Sequence, residues 1–169
     1  MPTPHFEKTS KSLKLKMNLI WGIFLIAPIF YMGVLYKITM TGTELSSTPP
    51  NNAFVSTLVI ISIVIGMLSF FFPDFLVKKM TSQIKLQNHH PNQPLDKMDE
   101  KEREDMRLIT AYFVSFLLKN AMAESIAIYG LVLGVMTDDL KLFLYFAVPS
   151  ILLLIIHRPN IEQATNRTF

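Results

Sequence analysis

Ala-Met-Ala-Glu-Ser-Ile-Ala-Ile-Tyr-Gly-Leu-Val-Leu-Gly, residues 121–134, is an apolar helical run with one carboxylate, Glu124, inside it. An ionisable group in hydrocarbon is costly and normally has a partner, a water path or a task. The run belongs to a longer apolar block, residues 108–136, broken only by Lys119, Asn120 and Glu124. Three further blocks accompany it. Residues 17–36 carry no charge, residues 53–77 only Asp74 near the inner end, and residues 140–156 only Lys141 at the start. A bilayer core of about 30 Å takes about 17–25 helical residues, and all four blocks reach that length, the last at its lower limit.

The bulk composition agrees. Hydrophobic residues make up 50% of the 169 and charged residues 17%, where a soluble domain carries about a quarter charged. The sequence therefore predicts an all-α membrane protein: one membrane domain over 1–169, with four transmembrane helices arranged as two helical hairpins. The basic residues set its orientation. Lys8, Lys11, Lys14 and Lys16 precede the first block; Lys78, Lys79, Lys85, Lys97, Lys101, Arg103 and Arg107 lie in the central 78–107 loop; Arg158 and Arg167 follow the last block. The other two connections offer only Lys37 and Lys141. Both termini and the central loop are expected in the cytoplasm, in the manner of a bacterial inner-membrane protein. The first block reads as a retained anchor, because it exceeds the usual signal core of about 7–15 residues and no Ala-x-Ala-like site follows it.

The formal net charge of +3 reflects this topology, and no stripe of Lys and Arg with interleaved aromatics points to nucleic acid. The chain has no cysteine, which removes disulfides and thiolate metal sites. His89 and His90 adjoin a proline in the central loop, without the further ligands a metal site needs. Only one deep acid is present, with no phosphate loop and no nucleophile constellation. Neither an enzyme nor a cofactor is expected.

Along the spans, Trp21 lies near the inner end of the first and Tyr31 and Tyr36 near its outer end, where amphipathic rings prefer to sit. Pro28 should kink that helix. Phe70-Phe71-Phe72-Pro73 should close the second span, with Asp74 spaced to pair with Lys78. Glu124 falls about 18 Å from the outer end of the third at about 1.5 Å per residue. Lys119, nearer the inner face, reads as a snorkelling cation. Asn120 is four residues before Glu124, on the same face, and is the natural in-helix hydrogen-bonding neighbour of the carboxyl. Beside them runs a small-residue seam, Ala123, Ala127, Gly130 and Gly134, whose GxxxG pair lets backbones approach closely. His157 and Arg158 read as anchors at the inner interface.

Residues 123–132, Ala-Glu-Ser-Ile-Ala-Ile-Tyr-Gly-Leu-Val, resemble the carboxylate helix of the rotor-ring c subunits (proteolipids) of rotary F- and V-type ATPases. The resemblance covers about a dozen residues. It implies that Glu124 binds the transported ion, with Ser125 as the neighbouring hydroxyl and Tyr129 as the supporting tyrosine. With no glutamine in any span and Ile126 after the serine, it implies a proton rather than sodium.

Two functions follow as expectations. In the first, the chain is an accessory or structural subunit of a membrane complex, and its Glu–Asn pair and small-residue seam glue helices together. In the second, it is a proton-binding, c-subunit-like proteolipid involved in ion translocation. The expected partners are the lipid bilayer, a second copy or a membrane complex, and protons.

Overall fold

The structure, a computed structural model, describes residues 4–41, 50–84 and 100–160. His89 and His90, most of the first connection, the end of the tail with Arg167, and residues 1–3 lie outside the described residues. Every regular element described is an α-helix: α1 Pro4–Thr41, α2 Asn52–Ile84, α3 Glu100–Thr137 and α4 Leu140–Ile156. Three of them, α1, α2 and α3, are long and apolar enough to cross a membrane. The fourth, of 17 residues, is about 26 Å long at about 1.5 Å per residue.

The helices overrun the apolar blocks at both ends. α1 begins at Pro4 and so takes in the basic arm that precedes the first block; it also continues past Lys37 to Thr41. α2 passes through Pro73, where the sequence suggested an end, and reaches Ile84. α3 starts at Glu100, so that much of the predicted 78–107 loop is helix. Hydropathy finds the part of a helix that lipid covers, whereas backbone hydrogen bonding continues for as long as nothing breaks it. One proline removes one bond, and neighbouring helices can tolerate the gap.

The α3–α4 corner is tight. Asp138 takes a left-handed conformation, φ 52°, and the Asp139 N–H reaches back to the Gly134 carbonyl at 3.1 Å, closing α3 in a Schellman turn. Asp139 then caps α4, its carboxylate accepting from the Lys141 N–H at 2.8 Å. One residue thus ends one helix and starts the next.

α3 is the hub: it packs on α1, α2 and α4, while α1 also reaches α4 and scarcely touches α2. The registers give the directions. Tyr31 meets Glu124 and Leu35 lies at Gly134, so α1 and α3 run the same way. Phe146 lies at Gly130 and Ser150 meets Ala123, so α4 opposes α3. Asp74 meets Lys119 and Gly66 lies near Ile126, so α2 opposes it too. Three apolar clusters fill the bundle, one toward one end and two side by side toward the other. One gathers Met17, Met106, Ile109 and Phe116; the next Leu35, Phe143 and Ala147; the third Ile126, Leu133 and Phe146 on the α2-facing side. Most of the outer surface of α1 and α2 is exposed Leu, Ile, Val, Met and Phe, the surface a lipid-facing helix presents.

Candidate buried carboxylate site

At about 100° per residue, α3 divides into sides. Ile109, Phe116, Asn120 and Glu124 fall within about 80° of one another, on the side where α1 packs. Ala123, Ala127, Gly130 and Gly134 lie beside them, toward α4. Ser115, Lys119, Ile126 and Leu133 turn to α2. The apolar stretch around Glu124 is so nearly uniform that these sides emerge only once the partners are in place.

On the α1 side, the Tyr31 hydroxyl donates to Glu124 Oε1 at 2.6 Å, a short bond across two helices. Both residues are partly buried. Tyr31 was read as an interfacial belt residue, and the structure places it instead on the inner face of α1. The signal was present in the spacing: Met17, Trp21, Pro28, Tyr31 and Leu35 repeat every three, four or seven residues, a helix-packing stripe.

Asn120 is fully buried, yet it is not bonded to Glu124. Its amide N–H donates back to the Phe116 carbonyl at 2.8 Å, and its Oδ1 is buried without a hydrogen-bond partner. The register that sets Tyr31 beside Glu124 sets Pro28, also fully buried, at the level of Asn120. A proline offers no N–H and leaves the carbonyl four residues earlier without its helical donor.

Ser125 and Tyr129 do not join the acid. The Ser125 hydroxyl donates to the Met122 carbonyl at 2.7 Å, and Tyr129 packs against the Ile126, Leu133 and Phe146 cluster. One and five residues from Glu124 correspond to about 100° and 140° of rotation, which carries both away from the α1 side.

The small-residue seam is a contact within the chain. A Cβ on Gly130 would stand 2.5 Å from the Phe146 Cβ and 3.1 Å from the Phe143 carbonyl oxygen; one on Gly134 would stand 2.6 Å from a Leu35 methyl. Ala123 and Ala127 are fully buried. The Ser150 hydroxyl donates to the Ala123 carbonyl at 2.7 Å, adding a polar tie further along the same contact.

A second polar group lies one turn inward, toward α2. Lys119 Nζ donates to Asp74 Oδ1 at 2.8 Å, and the Ser115 hydroxyl donates to the same oxygen at 3.1 Å. Lys119 is therefore an interhelical partner rather than a snorkelling cation. Just past the end of α4, His157 turns inward: its Nε2 lies 3.2 Å from the Ser69 hydroxyl and its ring meets Phe70 edge-on. Burial, then the Lys119 ammonium, lowers the His157 pKa from 6.5 to about 4 against the opposing pull of Asp74. Arg158, its neighbour, lies over the Trp21 ring at 5.6 Å, and the Trp21 indole N–H donates to the Leu154 carbonyl at 2.8 Å.

No family model, curated protein or solved structure matches this chain. Its function has to be read from the side chains themselves.

Proposed function

We propose that this chain is a small integral membrane protein with an accessory or structural role in a membrane assembly. In this reading all four helices span the bilayer, joined in sequence as the pairs α1–α2 and α3–α4, with α1 packed on α3 and α4 rather than on α2. Both termini and the central segment face the cytoplasm, as the Lys and Arg distribution favours, in a membrane of the bacterial inner type. The observation that supports the role most is the Tyr31–Glu124 bond. The deep carboxylate is engaged in joining α1 to α3, beside a glycine seam that joins α3 to α4. Such interhelical bonds contribute about 0.6 kcal/mol on average and up to about 1.7 kcal/mol. Glu124→Gln keeps an acceptor for Tyr31, so it should leave assembly in native membranes nearly unchanged, whereas Gly130→Leu should abolish it. Native-mass measurement of both variants in mild detergent tests this; the opposite ranking refutes it.

A second reading is a proton-binding subunit akin to a rotor-ring proteolipid, with Glu124 as the acid. The buried, unpartnered Oδ1 of Asn120 favours it, because an acceptor without a donor suits a site that gains a proton. Ser125 and Tyr129, which the resemblance would enlist, have other partners. The reading therefore stands on Glu124, Asn120 and Tyr31. pH-dependent labelling of Glu124 by a hydrophobic carbodiimide is its test, and an acid that stays unreactive at every pH ends it.

A further inference from the structure

A buried carbonyl oxygen without a donor carries a desolvation penalty, and exceptions of this kind call for an explanation. The assignment of the Asn120 amide is held by its own geometry: the nitrogen must face the Phe116 carbonyl, which only accepts, so the oxygen is the atom left over. Nearby backbone offers it little, since Pro28, at the same level of α1, has no N–H. Glu124 is the next polar side chain on this side, four residues on, where side chains of one helix are neighbours. When ionised it is only an acceptor, and two acceptors side by side repel. When protonated it gains one O–H donor and keeps an acceptor oxygen.

We propose that Asn120 Oδ1 receives the proton carried by Glu124, so that the neutral acid bridges two partners: Tyr31 O–H to Oε1, and Oε2–H to Asn120. The ionised acid holds Tyr31 alone. The proton comes from water and returns to it, and no other bond is made or broken. Protonation thus adds a bond within α3, satisfying Asn120, while the bond from Tyr31 of α1 is kept in its weaker, neutral form. This inference rests on the second reading above, that Glu124 exchanges a proton, and names the residue that receives it.

Few other charges bear on the acid. On α3, Lys119 lies more than a turn away and is paired with Asp74 of α2. α2 has no other acid or base between Asn52 and Asp74, and α4 has none between Lys141 and His157 except the exposed Tyr145. On α1, Tyr31 and Tyr36 are the titratable groups between Lys16 and Lys37.

The two partners act with opposite sign, which makes the proposal testable. Tyr31 stabilises the ionised acid more, because a bond to a charged acceptor is the stronger one; Asn120 stabilises only the neutral acid. The full-length protein is reconstituted in phosphatidylcholine–phosphatidylglycerol vesicles and followed by infrared spectroscopy against pH, with Glu124→Gln assigning the protonated-carboxyl band. Asn120→Leu should move the half-protonation point to lower pH by about 0.5–1 unit, and the carbonyl band to higher frequency as its hydrogen bond is lost. Tyr31→Phe should move that point to higher pH by a similar amount. Asn120→Ser, smaller and too short to reach, guards against failure of the leucine variant to fold and should shift the midpoint as leucine does. If Glu124 titrates but the Asn120 variants leave band and midpoint unchanged, or both partners shift it in the same direction, the bridge is refuted and the proton-binding reading survives. If no Glu124 band titrates at all, both fall.

Discussion

α3 meets α4 and α2 on different terms. Toward α4 the contact is one of shape: two glycines whose hydrogens stand where side chains would collide with Phe146 and Phe143, with Ala127 and Ala123 one and two turns before the first of them. Toward α2 it is looser and polar. A Cβ on Gly66 would meet Ile126 and Leu153 at an ordinary 3.7 Å, and the Asp74–Lys119–Ser115 cluster ties the inner end. In lipid, apolar surface alone does not drive helices together, since the acyl chains are as apolar as leucine. Close fit or polar bonds must do so. This bundle uses close fit on one side of its hub and polar bonds on another.

The largest expected effect falls on the shape side. Gly130→Ala places a carbon against the Cβ of Phe146, an atom that cannot move without its helix, and should lower stability by about 2–3 kcal/mol. Gly134→Ala meets most closely a methyl at the end of a flexible leucine, with the Phe143 Cβ less tightly placed at 3.1 Å, and should lower it by about 1 kcal/mol. Reversible unfolding in mixed micelles checks both, and equal losses at the two glycines would break the distinction between backbone-limited and side-chain-limited contact.

A smaller effect belongs to the polar side. Asp74→Ala leaves the Lys119 ammonium, mostly out of solvent, without this partner. With the Asp74 side chain 43% exposed, solvent screening keeps the expected loss to about 1 kcal/mol. Adding Lys119→Met should recover part of it, because the unpaired charge is then gone. A double-mutant cycle with no coupling would show that the pair contributes nothing to the α2–α3 contact.

The smallest effect at neutral pH is that of His157, whose sign can be worked out. Its native pKa is about 4 against 6.5 unfolded, so the unfolded chain binds more protons between those values. Stability should therefore hold above about pH 6.5 and fall progressively toward pH 4. His157→Gln should flatten that part of the profile and change little at pH 7.5. Trp21, the only tryptophan, donates to Leu154 close by, and its emission reports the change directly. A profile in which the wild type and variant fall together would remove His157 as the cause.

How much of the site was legible depends on the kind of signal each residue carries. Glu124 stands out because a carboxylate among aliphatics is rare, and the seam stands out because small residues recur at helical spacing. Asp74 and Lys119 carry only local signals in the sequence, because spacing along one helix says nothing of contacts between helices. Tyr31 was placed by depth alone. Ser125 and Tyr129 were joined to the acid by a resemblance over about a dozen residues, and rotation about the helix axis separates them from it.

Composition and block length determined that this chain is helical, with apolar runs long enough to cross a bilayer, where a backbone in hydrocarbon must satisfy its own hydrogen bonds. The small residues likewise marked where helices approach. Which face of α3 meets which neighbour, that Glu124 joins Tyr31 rather than Asn120, and that Lys119 joins Asp74 were decided only by tertiary structure. The reason is physical: in a span apolar on all sides the hydrophobic pattern has little phase, so rotation is set by steric fit and by a few polar partners far apart in the chain.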